Sequence, residues 1–213
     1  MNVLVEIWSD VVCPWCYIGK RRFEEARAMV AFGDQLQVHY RAFLLDPEAP
    51  DNATERTVDV LARRYARSAD DIAAMMDNVT QVALTVGLTF DLDRTLSGST
   101  RAVHRLVKVA QERDLQDEAL ERLFAAYFTE GRSLFDEASL AELGGEIGLS
   151  VDDVTRAMTS NAIGQAVEDD IAEAVSLGAT GVPFYVVGRT HGISGAQPPE
   201  HFVEVLTRAW ESQ

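Results

Sequence analysis

The stretch Ser9-Asp10-Val11-Val12-Cys13-Pro14-Trp15-Cys16-Tyr17 decides how this chain is read, because it holds both of its cysteines. Two cysteines with two residues between them have three uses: a staple, half of a metal site, or a redox dithiol. A staple would close a loop too short to constrain the unfolded chain. A closed zinc site needs four ligands, yet there is no second cysteine pair, and His39, His104, His191 and His201 are scattered singly. No metal site is expected. A dithiol requires the motif to lie between a strand and a helix, so that the helix amino terminus stabilises a thiolate.

The flanks meet that requirement. Val3-Leu4-Val5-Glu6-Ile7-Trp8 is apolar enough for a strand buried on both faces, and Ser9-Asp10 ends it. Beyond Cys16, the apolar residues Ile18, Phe23, Ala26, Met29 and Val30 recur at helical spacing between charges. Cys13 therefore falls at the first turn, where backbone N–H groups are unpaired, and Cys16 falls inside the helix. Cys13 reads as the nucleophile and Cys16 as the resolving thiol. Pro14 has no N–H to leave unpaired and preorganises the turn. Trp15 reads equally as a substrate-docking surface or a rim aromatic. Asp10 is a candidate proton acceptor for Cys16, though a solvated or helix-capping carboxylate is the ordinary expectation at a strand end. Lys20 and Arg21 are expected to be solvated helix charges.

Further out, Leu36 to Phe43 alternates as a strand does, and Asp46-Pro47-Glu48-Ala49-Pro50 stops it. Strand, helix, strand implies a right-handed crossover and parallel pairing. From about Thr54 to Ser160 the apolar residues instead recur at steps of three and four. Helices are expected around Val58–Tyr65, Ile72–Val86, Val103–Ala110, Leu120–Phe128 and Leu140–Ile147. Ser68 is the cap residue expected for the second, and Ser150 with Asp153 resembles a capping box for a sixth. Met75, Met76 and the aromatic stripes read as core packing, and His104 as a packed or hydrogen-bonded histidine. A mixed pattern returns at Ala166, with a helix ending at Gly178, a strand after Pro183, a short apolar segment Ile193–Gly195 and a last helix opened by Pro198-Pro199.

Length and charge exclude other classes. The chain has 213 residues, 47% hydrophobic and 25% charged, a composition that folds. Its net charge of −15 opposes binding to a phosphate backbone or an anionic membrane. The start Met-Asn-Val-Leu-Val-Glu-Ile-Trp lacks the features of an export signal, and no apolar run approaches the roughly 20 residues of a membrane helix. A cytoplasmic location is expected.

Strand, C-x-x-C helix, strand, helical insertion, helix, then Val-Pro before a strand resembles the thioredoxin-like fold in its DsbA form, an α/β fold with a large all-α insertion. The expected divisions are residues 1–46 and 163–213 for the thioredoxin-like part and 47–162 for the insertion. Four stretches narrow the likeness: Cys13 to Gly19, Leu123 to Phe128, Gly181-Val182-Pro183-Phe184 and Ser194-Gly195-Ala196-Gln197. These resemble the FrnE-type cytoplasmic branch of the DsbA family oxidoreductases.

The resemblance implies that Pro183 is cis and packs beside the dithiol, and that the Val182 backbone pairs with a substrate strand. Pro14 and Trp15 would also face substrate. It further implies thiol-disulfide exchange with protein or small-molecule thiols and disulfides, without a bound cofactor, glutathione being admitted as a co-substrate. Kappa-class glutathione transferases and 2-hydroxychromene-2-carboxylate isomerases resemble the same architecture and supply the rival reading. In those relatives a serine stands at the position of Cys13 and an acidic residue at that of Gln197. A redox-switched binding protein or holdase is the remaining alternative. Oligomeric state, a homodimer included, is left open.

Overall fold

The structure is a computed structural model that describes residues 2–212. Strand β1 (Val3–Ser9) leads into helix α1 (Pro14–Met29), and strand β2 (Leu36–Ala42) follows. A two-residue strand β3 (Glu55–Arg56), helices α2 (Thr57–Tyr65) and α3 (Ala69–Leu84), and a second short strand β4 (Leu96–Ser97) come next. Helices α4 (Arg101–Gln111), α5 (Gln116–Phe124), α6 (Glu137–Ile147), α7 (Val151–Thr159) and α8 (Asn161–Ser176) precede strands β5 (Phe184–Val187) and β6 (His191–Ser194) and helix α9 (Pro199–Glu211). The chain forms two compact units, Met1–Leu45 with Glu168–Gln213, and Asp46–Val167.

In the first unit a four-stranded sheet runs in the order β2-β1-β5-β6. β1 and β2 are parallel, with Val5 opposite Val38, as a strand-helix-strand crossover requires. β5 runs antiparallel to β1, with Trp8 opposite Phe184, and β6 antiparallel to β5. All four residues of β5 are buried, because side chains alternate between two covered faces. Phe184 and Val186 pack with Trp8 and with Ala174 of α8 on one face. Tyr185 points to the other, against Phe23 of α1 (ring centroids 5.9 Å apart) and Phe202 of α9 (4.7 Å).

Charges are buried within this sheet as well. Glu6 of β1 and Asp170 of α8 are almost fully buried, and Arg41 of β2 bridges them. Asp170 also accepts the Ala42 N–H at 2.8 Å, and its own carbonyl accepts the Trp8 indole N–H at 2.8 Å. Each buried carboxylate thus has the partners that its desolvation demands.

The second unit is dominated by helices whose ends are chemically marked. Ser68 caps α3 and Ser150 caps α7, each in a reciprocal box with the aspartate three residues on. Asp136 accepts the Ser139 N–H at 2.9 Å to cap α6, which ends at Gly148 with φ of 98°. The helix expected to run through Phe128 departs from regularity. After Phe124 the chain makes a π-helical turn over Ala125–Thr129, and the Phe128 carbonyl is taken by the Asp91 N–H at 2.6 Å. A two-residue antiparallel ladder, β3 with β4, accompanies the helices.

The apolar stripes are buried unequally. Leu106, Val109, Leu120, Leu123 and Phe124 are fully enclosed, and His104 is buried as expected of a packed histidine. Met75 is not core: it is 42% exposed, and Tyr65 is 55% exposed. α2 has no buried residue, and α3 buries only Ile72 and Ala83, so here periodicity marks a helical face without a deep interior behind it.

Candidate active site

α1 begins where Pro14 can begin it, in the first helical turn, and Cys13 is its N-cap with extended backbone (φ −92°, ψ 110°). No side chain caps this end, so Cys13 sits beside N–H groups of the first helical turn that no side chain satisfies. The approach is a tight turn: the Cys13 N–H donates to the Asp10 carbonyl at 3.0 Å, and the Cys16 N–H to the Cys13 carbonyl at 3.0 Å. Both cysteines are free thiols and both are buried, Cys13 at 4% exposure and Cys16 at 3%.

The Cys13 thiol faces the other end of the chain, its Sγ lying 3.6 Å from the Val182 carbonyl oxygen. The Val182–Pro183 peptide bond is cis, and Pro183 is buried. Gly19 lets this segment close on α1: a Cβ there would stand 2.9 Å from Pro183 Cγ and 2.6 Å from Tyr185 Oη. The residues singled out in the sequence therefore fall at one place, with Cys13, Cys16, Val182 and Pro183 brought together from α1 and the entrance of β5. Pro14 is half-buried there, and Trp15 is exposed at 39%.

Burial pushes the Cys16 thiol well above the ordinary cysteine value, and the hydrogen bond and charge of Cys13 push the same way. The Ser9 side chain and the Asp10 backbone act in the opposite sense. Asp10 is neither solvated nor a cap. It is 1% exposed, and its Oδ2 accepts the Leu45 N–H at 2.8 Å. Lys20 is also not a solvated charge: it is buried and paired with Glu24, which Arg21 holds from its other oxygen at 2.9 Å. The Arg21 guanidinium lies 5.1 Å from the Tyr17 ring centroid, and Arg22 donates to the Ala196 carbonyl. Gln197 donates through Nε2 to the Ser194 carbonyl at 2.7 Å.

Sequence reading missed Ser9, Gly19 and Tyr185 at this place. The only signal for Tyr185 was its spacing, two residues beyond Pro183 and so on the same face of the strand. Among the described residues no group of three or more His, Cys, Asp or Glu side chains could hold a metal ion. No helix among them is long and apolar enough to cross a membrane.

Residues 4–207 match the model of the DSBA-like thioredoxin domain. The chain belongs to that family. A probable DsbA oxidoreductase from Streptomyces coelicolor is 38% identical over 100% of this chain and 92% of its own, with a TM-score of 0.94. A 2-hydroxychromene-2-carboxylate isomerase shares the fold at 15% identity, covering 98% of this chain and 97% of its own, TM-score 0.71. The cytosolic disulfide reductase DsbM from Pseudomonas aeruginosa, also solved with GSH, shares it at 20% identity over 99% of this chain and 100% of its own, TM-score 0.69. The DSBA-like fold, with its mixed sheet and many helices, is thus the fold of this chain, and the family is one of thiol oxidoreductases and related isomerases.

Proposed function

We propose that this protein is a thiol-disulfide oxidoreductase that works through Cys13 and Cys16. The observation that carries the reading is the Cys13 thiol itself. It sits at the uncapped start of α1 with its sulfur against the Val182 carbonyl, where a substrate strand lying along the Val182–Pro183 segment would present a disulfide.

In the reducing direction the Cys13 thiolate attacks one sulfur of a substrate disulfide. The substrate S–S bond breaks, a Cys13–substrate mixed disulfide forms, and the first substrate sulfur leaves as a thiolate that takes a proton from water. Cys16, deprotonated, then attacks the Cys13 sulfur. The Cys13–Cys16 disulfide forms and the second substrate sulfur leaves. An external thiol such as glutathione returns the pair to the dithiol by the same two exchanges, and run backward the sequence oxidises a substrate dithiol. Pro14 and Trp15 form the rim that substrate meets, and Pro183 flanks the sulfurs without an N–H of its own.

Two features support exchange over a glutathione-dependent isomerase or transferase. A thiol stands where those relatives are expected to carry serine, and Gln197 is engaged with the Ser194 carbonyl. The natural substrates in this reading are protein or small-molecule disulfides of neutral or basic character, given the net charge of −15. The cytoplasm is the compartment, as DsbM is named cytosolic. The test is insulin-disulfide reduction with dithiothreitol or glutathione, on the wild type and C13S in parallel. Turnover by the wild type and its loss in C13S are expected; no turnover by the wild type with either reductant would overturn the reading.

A further inference from the structure

Two buried hydroxyls in the first unit have no hydrogen-bond partner among the described residues, those of Ser9 and Tyr185. Both belong to the surroundings of the dithiol. Ser9 closes β1 and precedes Asp10, whose carbonyl holds the Cys13 N–H at 3.0 Å. Tyr185 stands two residues beyond Pro183 on the face of β5 that packs on α1. Its hydroxyl abuts Gly19, one helical turn after Cys16, so that a Cβ there would be 2.6 Å from it and 2.9 Å from Pro183 Cγ. Cys16 and Gly19, three residues apart, share that face of the helix.

Packing does not explain the Tyr185 hydroxyl. Around Tyr185 the neighbours are Phe23, Phe202, Pro183 and the backbone of Gly19, a setting that phenylalanine would fill at no polar cost. A buried hydroxyl left unpartnered is destabilising, and a persistent one asks what it is for. We propose that the Ser9 and Tyr185 hydroxyls are the hydrogen-bond donors of the Cys16 thiolate, idle while Cys16 is a neutral thiol and engaged when that sulfur carries charge. The proposal deepens the exchange reading above and rests on it for its purpose. When a substrate thiolate attacks Cys13 of the disulfide form, the Cys13–Cys16 bond breaks and Cys16 leaves with the electron pair. When Cys16 resolves a mixed disulfide, it must first give up its proton to solvent. Both steps pass through a buried thiolate, and two hydroxyl donors lower its cost.

The electrostatics agree in direction. Ser9 lowers the Cys16 pKa against the upward push of burial and of Cys13, and the Asp10 backbone acts with it. Burial first, then negative charge at Cys16 and Cys13, hold the Tyr185 phenol well above its ordinary range, with Glu24 acting the same way and Arg22 against. These influences favour the protonated phenol, the form that can donate.

The test isolates Cys16 in a C13S background, where no disulfide forms, and follows its titration by the carbon chemical shift of the Cys16 Cβ. S9A and Y185F are each expected to raise the midpoint by about one pH unit, a tenfold loss of thiolate at a given pH. Y185F is also expected to leave the melting temperature unchanged or higher, since it deletes an unpaired polar group. A purely structural role would do the reverse, lowering stability while leaving the titration in place. A midpoint unmoved by removal of either hydroxyl overturns the assignment for that hydroxyl. The titration needs no turnover, so its outcome stands apart from that of the insulin assay.

Discussion

Cys13 and Val182 are 169 positions apart in the chain, and the sulfur of one lies 3.6 Å from the carbonyl oxygen of the other. In the proposed exchange this is the backbone that a docked substrate strand would pair with, so attack and docking would meet at one point. If Cys13 is the attacking sulfur, C16S should accumulate a mixed disulfide that it cannot resolve. Incubated with oxidised glutathione or insulin, C16S is expected to gain the mass of one adduct, and C13S none. An adduct on C13S instead would assign attack to Cys16.

Cys16 should be a poor nucleophile toward outside reagents. It is 3% exposed, and burial together with Cys13 holds its thiol well above the usual cysteine range. In C13S, where burial still acts although the Cys13 contribution is gone, alkylation of Cys16 by iodoacetamide at neutral pH is expected to be about tenfold or more slower than in the same protein unfolded by urea. Equal rates in the two states would show that the site opens freely.

Gly19 is the contact through which α1 meets the segment after Val182. A methyl there would lie 2.6 Å from Tyr185 Oη and 2.9 Å from Pro183 Cγ. G19A should destabilise the protein by about 1–3 kcal/mol, as overpacking does. Part of that loss should return in G19A/Y185F, because one of the two atoms struck is gone. Urea unfolding of the four proteins of this cycle measures the coupling, and strict additivity would mean that the hydroxyl and the methyl never meet.

What could be read from the sequence was what is local. The C-x-x-C helix, its Pro14 start, the Ser150–Asp153 box and the helical stripes all show in a dozen residues or fewer, and α1, α7 and α4 form there. The pairing of β1 with β5 was not legible, since nothing in Ile7 names Tyr185 as its partner across the intervening helices. Buried charge was misread for the same reason. Asp10 looks solvated until the Leu45 N–H is placed beside it, and Lys20, whose partner Glu24 is only one turn on, until the packing that buries this face of α1 is known. The π turn at Ala125–Thr129 was hidden because one added residue leaves the aromatic spacing of the stretch looking helical.

Arg41 holds two buried carboxylates at once, Glu6 through Nη2 at 2.5 Å and Asp170 through Nη1 at 3.2 Å. Replacing it with methionine keeps most of the volume and strands both charges. The expected cost is about 3–5 kcal/mol, that of breaking a buried pair from one side. E6Q in the same background should recover part of it by removing one of the stranded charges. A cost of R41M below about 1 kcal/mol would mean that Arg189, whose Nε is 4.0 Å from Glu6, takes over the role.

Acid should act on the second unit through Asp153. The Arg113 guanidinium, at 2.6 Å, and the Ser150 hydroxyl hold this carboxyl down at about 2, from an ordinary value of 3.8. Because the folded value lies below the unfolded one, the ionised carboxylate stabilises the fold above the unfolded value, and that contribution is lost as pH falls through the folded one. D153N lacks it at every pH. The stability gap between wild type and D153N should therefore be constant from neutrality down to about pH 5, narrow below about pH 4 and close near pH 2. Asp71, Asp136 and Glu146 are held low as well and sharpen acid unfolding of both proteins alike, so they cancel in the difference. Urea unfolding at a series of pH values gives the gap directly, and one that does not change between pH 5 and pH 2 would remove Asp153 from the account of acid stability.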